Sequence, residues 1–149
     1  MDNIVLDYAS KLDNKELANL SKIFYEENCC NGMVCDNEDY FKDKKVVVAK
    51  LNNKIIGYAY GSVEKQEKDK SYIKAGELFF YLDEMYVLKQ YRSLGVGKLL
   101  FDFIEKEAKE KGCKLILLNA VSKDYKKLLN FYIDLLGFEF WSAFLLKKI

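Results

Sequence analysis

The sequence predicts a single α/β domain (an α+β mixed sheet) with helices packed on both faces of the sheet. The length of 149 residues suits one hydrophobic core, and half of the residues are apolar. An early pair of β-prone runs joined by a short turn predicts antiparallel strands. A later strand–helix–strand pattern requires a crossover, which makes its two strands parallel. No linker or repeat is visible, so residues 1–149 are interpreted as one domain.

The first half of the sequence predicts a strand, a long helix and a hairpin. Apolar residues alternate in the first strand and recur at helical spacing in the helix, for which Asp13 is a suitable N-cap. Asn52 and Asn53 indicate the hairpin turn. The predicted ranges are 4–8 for the strand, 13–28 for the helix, 37–43 for a short second helix, and 45–51 and 54–63 for the hairpin strands.

The second half predicts a central strand, a turn, two amphipathic helices and two further strands. The first helix ends at Gly112 and the second is stopped by Gly137, and glycine suits a helix C-terminus. The complete predicted order is β-α-(α)-β-β-β-α-β-α-β. The predicted ranges are 64–76 for a charged loop, 77–88 for the central strand, 89–97 for the turn, 99–112 and 124–136 for the helices, and 115–118 and 138–147 for the strands.

The charge balance excludes several classes of function. Lys and Arg number 24 and Asp and Glu number 23, so no strong field attracts nucleic acid or an anionic membrane. The sequence begins with a polar, acidic segment, and no apolar run approaches membrane-spanning length. We therefore expect a cytoplasmic protein without a nucleic-acid or membrane partner.

The sequence contains no histidine, which removes the commonest general base and the commonest metal ligand. The four cysteines form no Cys-x-x-Cys pair, so neither a zinc site nor any other metal site is expected. We interpret them as free thiols in a reducing compartment.

The most informative segment is the turn between the central strand and the next helix, which reads Arg-x-x-Gly-x-Gly from Arg92 to Gly97. The first backbone amides of a helix have no internal partner, and the helix dipole favours an anion there. Glycine lets a phosphate approach the backbone closely, and Arg92 and Lys98 add positive charge. This segment therefore predicts an anion site.

Two better-known phosphate motifs do not fit. A P-loop would need glycine at Arg92 and Ser or Thr at Leu99, and a dinucleotide fingerprint would need glycine at Leu100.

The run Gln-Tyr-Arg-Ser-Leu-Gly-Val-Gly-Lys-Leu-Leu resembles the acetyl-CoA motif of the GNAT-type N-acetyltransferases. Further on, Tyr132 followed five residues later by Gly137-Phe138 is similar to the closing signature of that family. The predicted order of elements is also the family's order, so the resemblance covers essentially the whole chain.

The resemblance implies a binding site for acetyl-CoA, without a metal. The pyrophosphate would lie on the turn, and the pantetheine arm would run beside the central strand. Asn119, after the following strand, would also line the arm. The residues implied are Met85, Tyr86 and Val87 for the arm, and Arg92, Ser93, Leu94, Gly95, Val96, Gly97 and Lys98 for the pyrophosphate.

Transfer to an amine requires a general base and a general acid. Without histidine, the base is a carboxylate, a water chain or a tyrosine, and the family often places acidic residues where Asp83 and Glu84 stand. Adjacent strand residues face opposite ways, so only one of the two should face the acceptor. Resemblance to polyamine-type members favours Asp83. Tyr132 matches the family tyrosine that protonates the leaving thiolate.

The sequence therefore predicts an N-acetyltransferase that moves an acetyl group to a primary amine. The alternatives are a non-catalytic acyl-CoA-binding module of the same fold and, more remotely, a nucleotide-binding protein.

Two positions depart from family patterns. Tyr125 replaces an asparagine common in many members. Ala120 replaces a glutamate of the ribosomal-protein-type N-terminal acetyltransferases, which disfavours a protein N-terminus as acceptor. An aromatic final strand over 138–144 is compatible with a homodimer.

Overall fold

A computed structural model describes residues 3–149 of the chain. Within that range it contains five strands, four α-helices and a π-helical turn. The strands are β1 (Val5–Tyr8), β2 (Val46–Leu51), β3 (Lys54–Lys65), β4 (Leu78–Val87) and β5 (Leu115–Leu117). The helices are α1 (Asn14–Glu26), α2 (Glu38–Phe41), α3 (Val96–Glu110) and α4 (Tyr125–Leu129), and the π-helical turn covers Asn130–Leu135.

The five strands form one mixed sheet in the order β1-β2-β3-β4-β5. The first four strands are antiparallel to their neighbours, and β5 is parallel to β4 across the α3 crossover. Asn52 and Asn53 both have positive φ angles, 50° and 63°. A two-residue hairpin turn requires these angles to match the twist of the flanking strands. The predicted fold class, with an early hairpin and a parallel crossover, is confirmed.

Apolar side chains are buried on both faces of the sheet. On one face, here called the α3 face, Val47, Ala59 and Leu82 pack with Leu100 and Ile104 of α3. On the other, the α1 face, the core joins β2, β3 and β4 to helices α1 and α2. Its members include Leu17, Leu20, Phe24, Phe41, Val48, Ile55, Tyr58 and Tyr86. Alternate residues of β2 thus enter opposite cores, as the period of a strand requires.

The predicted final strand over residues 138–147 is wrong, because no strand forms after β5 in the described part of the chain. Phe138 packs on Phe101 and Trp141 packs on Tyr72, with ring centroids 5.3 and 4.9 Å apart. Side-chain contacts therefore hold the start of this segment, and no backbone ladder forms. Its last apolar residues are exposed, with Phe144 92% accessible.

The predicted helix over 124–136 forms in two parts. Asp124 caps α4 by accepting a hydrogen bond from the backbone amide of Lys127. The amide of Leu136 then bonds to the carbonyl of Phe131, five residues earlier, which marks the π-helical turn. Single π-helical turns are often found at functional sites.

Among residues 3–149, no helix combines the length and the apolar character needed to cross a membrane.

Candidate functional site

The turn between β4 and α3 presents a row of free backbone amides. Ser93 and Gly95 adopt left-handed conformations, with φ of 65° and 82°, and Gly95 is the N-cap of α3. None of the N–H groups of residues 93–98 makes a well-formed hydrogen bond to an acceptor within residues 3–149. Because α3 is fifteen residues long, its dipole adds to the positive potential at this end. The turn is therefore suited to an anion.

The two glycines of the turn serve different purposes. A side chain on Gly95 would meet no atom within 4 Å, but its positive φ disfavours other residues. A Cβ on Gly97 would lie 3.2 Å from Cζ of the Phe131 ring. Gly95 thus shapes the turn, whereas Gly97 lets the residue before Tyr132 pack against the start of α3.

Arg92 and Lys98, the two cationic side chains that flank the glycines, are paired with carboxylates. Arg92 donates to the two carboxylate oxygens of Glu27, at 2.9 and 2.8 Å. Lys98 donates to Asp102 over 2.6 Å, and both of these side chains are about half exposed. An exposed pair of this kind is weak and exchanges readily, whereas the Arg92 pair is more buried.

The last part of β4, which leads into this turn, has no pairing with β5. The ladder between the two strands ends at the pair Tyr81 and Leu117, whereas β4 continues to Val87. The amide of Leu88 donates to Ile56 of β3, and by antiparallel alternation Met85 and Val87 direct their backbone groups away from β3. These groups face the gap left by β5. The amide of Tyr86, by the same alternation, faces β3.

Asn119 lies where the two strands separate, two residues after the end of β5. Its side-chain amide donates to the hydroxyl of Tyr81 over 2.8 Å. The free amides, the open side of Gly95 and the unpaired edge of β4 together fit a diphosphate joined to an extended arm.

A β-bulge separates the two candidate bases on β4. Tyr60 pairs with Glu84 and Gly61 pairs with Leu82, so Asp83 is the extra residue. Leu82 belongs to the α3-face core, whereas Tyr86 belongs to the α1-face core. The bulge therefore reverses the alternation and turns Glu84 to the α1 face, beside Tyr58.

Glu84 is a largely enclosed carboxylate that accepts a hydrogen bond from the Tyr58 hydroxyl. Burial raises the pKa of Glu84 above its ordinary value. Asp36 and Asp83 raise it further, and the hydrogen bond from Tyr58 opposes this increase. Asp83 is exposed. A carboxylate with a raised pKa can accept a proton more readily near neutral pH.

Tyr132 lies within the π-helical turn and is 8% accessible. Its ring makes edge contacts with Phe131 and Phe138, at centroid distances of 5.2 and 5.4 Å. Burial and the nearby Cys30 raise the pKa of Tyr132 to about 12. Its hydroxyl has no hydrogen-bond partner among residues 3–149 and is not fully enclosed.

Cys30 lies near the candidate base and the candidate acid, and no sequence pattern pointed to it. Burial, its neighbour Cys29, Glu84 and Glu27 raise the pKa of the Cys30 thiol to about 11. Cys30 therefore lies within electrostatic range of both Glu84 and Tyr132. A backbone bridge to Ser122 joins its loop to the segment after β5.

Glu27 and Tyr58 were also missed. Tyr58 had a usable signal, because Tyr58 and Tyr60 alternate on β3 and must share a face. Glu27 had none, since its partner Arg92 is 65 positions away in the sequence. The roles predicted for Tyr132, Asp83, Glu84 and the turn residues remain predictions.

A protein-family model described as the acetyltransferase (GNAT) family matches residues 14–138. No curated protein matches the sequence.

Solved structures of acetyltransferases share this fold at low sequence identity. An aminoglycoside N-acetyltransferase, AAC(6')-Iy in complex with CoA, is 16% identical with a TM-score of 0.74, over 100% of this chain and 96% of that one. A Trypanosoma brucei acetyltransferase is 18% identical with a TM-score of 0.71, over 99% and 100%. A ribosomal-protein-alanine N-acetyltransferase of Brucella melitensis biovar Abortus 2308 is 16% identical with a TM-score of 0.68, over 98% and 100%.

Proposed function

The chain belongs to the GNAT acetyltransferase family, and from this premise we propose that it moves an acetyl group from acetyl-CoA directly to a primary amine. The observation that carries the proposal is the row of free amides at residues 93–98, beside a β4 edge that β5 leaves unpaired. A diphosphate on the turn would direct its arm along that edge towards Glu84.

In this proposal the backbone holds most of acetyl-CoA. The amides of Ser93, Leu94, Gly95, Val96, Gly97 and Lys98 bind the pyrophosphate. Met85 offers its backbone amide and carbonyl to the arm, Val87 offers its amide, and Asn119 lies at the far side of the gap. An amide of Met85 or Val87 is the available donor to the thioester carbonyl, a contribution commonly worth about 3 kcal/mol. Tyr86 offers no backbone amide to the arm, because its amide faces β3, and its ring is buried against Phe24.

Glu84 is the proposed general base. An amine near neutral pH is an ammonium and must lose a proton before it attacks. Burial raises the pKa of both Glu84 and Asp83, but Glu84 is the more enclosed carboxylate and lies on the α1 face beside Tyr58. Asp83, which the sequence favoured, is exposed on the bulge and is proposed to attract the cationic acceptor.

Tyr132 is the proposed general acid. Its pKa of about 12 keeps the hydroxyl protonated at neutral pH, so that it can donate to the departing thiolate. Its hydroxyl makes no hydrogen bond within residues 3–149, and its ring is held by two aromatic neighbours.

We also propose that two copies associate through the C-terminal segment, in the cytoplasm. The segment exposes Phe144, Leu145 and Leu146, at 92, 88 and 74% accessibility, and apolar residues in such a run favour association. Sedimentation velocity should show a dimer that becomes a monomer when residues 142–149 are removed.

The cytoplasmic location is proposed because all four cysteines are free thiols, as suits a reducing compartment.

The experiment that tests the activity measures the CoA thiol released from acetyl-CoA in the presence of a panel of primary amines. The reaction is stopped first, and the free thiol is then measured with a chromogenic thiol reagent at 412 nm. Release that depends on the amine, and that Tyr132→Phe greatly slows, supports the proposal. CoA binding without turnover across polyamines, amino sugars, amino acids and lysine peptides would contradict it.

A further inference from the structure

The guanidinium of Arg92 is directed away from the free amides of its own turn. Its Nη2 atom lies between the two carboxylate oxygens of Glu27, and its Nε donates to the backbone carbonyl of Val87 over 2.8 Å. Three hydrogen bonds therefore fix one planar group. The side chain connects the turn backwards to β4 and to the end of α1.

Glu27 joins three elements of the fold. It follows α1 directly as its C-cap, and it accepts a further hydrogen bond of 2.6 Å from the hydroxyl of Tyr86 on β4. The Tyr86 ring stacks on Phe24 of α1, with centroids 4.4 Å apart. The Arg92 guanidinium lies 5.4 Å from the same ring, within the range of a cation–π contact.

The location of Glu27 is electrostatically unfavourable without Arg92. A helix C-terminus carries partial negative charge, which disfavours a carboxylate there. The Glu27 side chain is 18% accessible and that of Arg92 is 34% accessible, so water screens the pair only partly. Removing either partner would leave a poorly solvated charge, which makes the two side chains depend on each other.

We propose that Glu27 is a positioning residue for acetyl-CoA, which acts by holding Arg92 against the carbonyl of Val87. This fixes the turn relative to β4, so that the amides of residues 93–98 and the open edge of β4 stay aligned for one extended ligand. The inference rests on the proposed function. It departs from the sequence-based expectation that Arg92 adds its charge directly to the diphosphate.

The two roles of Arg92 predict opposite effects of changing Glu27. If Arg92 binds the diphosphate itself, Glu27→Gln releases its charge, and CoA binding stays equal or becomes tighter. If Glu27 positions the turn, Glu27→Gln weakens CoA binding. Arg92→Lys keeps the positive charge but loses the planar fork, so it should weaken binding as well.

The test measures the dissociation constant of CoA by calorimetry, together with kcat and KM, for wild type, Glu27→Gln and a matched control. Glu26→Gln is that control, because the neighbouring carboxylate has the same charge and its ion pair is with Lys22, at 3.9 Å on the exposed surface. We expect Glu27→Gln to raise the CoA dissociation constant and the KM for acetyl-CoA about tenfold, the size of a lost charged hydrogen bond. The kcat at saturation and the KM for the amine should stay within about twofold of wild type.

Each outcome decides the question. Equal CoA affinity of Glu27→Gln and Glu26→Gln, or tighter binding by Glu27→Gln, overturns the positioning role and leaves the proposed function intact. A wild-type protein that binds no CoA overturns both. Should Glu27→Gln fail to fold, Tyr86→Phe replaces it, because it removes a hydrogen bond to Glu27 and leaves the charge of Arg92 unchanged. Unchanged CoA affinity of Tyr86→Phe then overturns the inference.

Discussion

The hydroxyl of Tyr58 donates a hydrogen bond to the carboxylate of Glu84 across the β3–β4 ladder, on the face covered by α1. Burial raises the pKa of Glu84, and the Tyr58 hydrogen bond opposes that increase by stabilising the ionised form. The Tyr58 hydrogen bond therefore lowers the pH at which Glu84 can act as a base.

Glu84→Gln should remove the acidic limb of the pH profile of kcat/KM. In wild type the rate should rise with pH through the raised pKa of Glu84, since only the ionised carboxylate accepts the proton of the ammonium. We expect a loss of about 100-fold in kcat/KM for the amine at neutral pH, recorded with saturating acetyl-CoA. Asp83→Asn is the neighbouring control, and it should keep the limb and change mainly the KM for the amine. A limb that disappears in Asp83→Asn and persists in Glu84→Gln would reverse the assignment.

Tyr58→Phe should move the same acidic limb to higher pH. Removing a hydrogen bond that favours the ionised carboxylate leaves burial less opposed, so the pKa of Glu84 rises further. Tyr60→Phe serves as the control, because the Tyr60 hydroxyl pairs with Tyr40 and does not bond to Glu84. A shift to lower pH in Tyr58→Phe would contradict this account of the pair.

Tyr132→Phe should lower kcat about 100-fold without a comparable change in the affinity for CoA. Because the pKa of Tyr132 is about 12, the wild-type rate should show no basic limb from this group below about pH 10. Steady-state rates and CoA titrations measure the two effects separately. Tyr125→Phe is the control. Tyr125 is exposed at the start of α4, and this variant should behave as wild type. Full activity of Tyr132→Phe at every pH would mean that another group protonates the thiolate.

Glu107 of α3 should protect the fold against acid. Burial opposes its ionisation, but hydrogen bonds from Lys111, Lys45 and Tyr8 outweigh burial and lower its pKa from 4.5 to about 2. Between these values the unfolded state binds more protons, so the free energy of unfolding falls as the pH falls from 4.5 towards 2. After allowance for the exposed lysine partners, the contribution at neutral pH is about 2 kcal/mol.

Urea unfolding of Glu107→Gln at pH 7 and at pH 3 measures this contribution. The variant should be less stable at pH 7, and its difference from wild type should shrink at pH 3. Glu110→Gln is the control on the same helix, since its nearest cation, Lys106, is 3.9 Å away and exposed. A difference between Glu107→Gln and wild type that is the same at both pH values would rule out the ionic origin of the effect.

The sequence predicted the sheet and the turn because both depend on local patterns. Asn52-Asn53 specifies a tight turn, and Gly95 specifies a left-handed N-cap, by the conformations these residues tolerate. The prediction of a final strand was wrong because it also relied on a local pattern alone. Its residues are β-prone, but a strand also needs a partner, and β5 is only three residues long.

The choice between Asp83 and Glu84 depended on the bulge. Regular alternation from Leu82 would direct Asp83 to the α1 face, and the extra residue directs Glu84 there instead. No local pattern reveals a bulge at this point. The pairing of Arg92 with Glu27 is likewise set by tertiary contact between distant parts of the chain.

The most direct test of the central claim is a calorimetric titration of CoA into wild type, Gly95→Val and Gly112→Val. Gly95 and Gly112 lie at opposite ends of α3, with φ of 82° and 78° and open space at the Cβ position, so valine imposes a similar backbone strain at both. The account predicts that wild type and Gly112→Val bind CoA alike, and that Gly95→Val binds it at least about tenfold more weakly. Wild type that gives no heat with CoA, or Gly95→Val that binds as tightly as Gly112→Val, would contradict the claim that these amides hold the diphosphate.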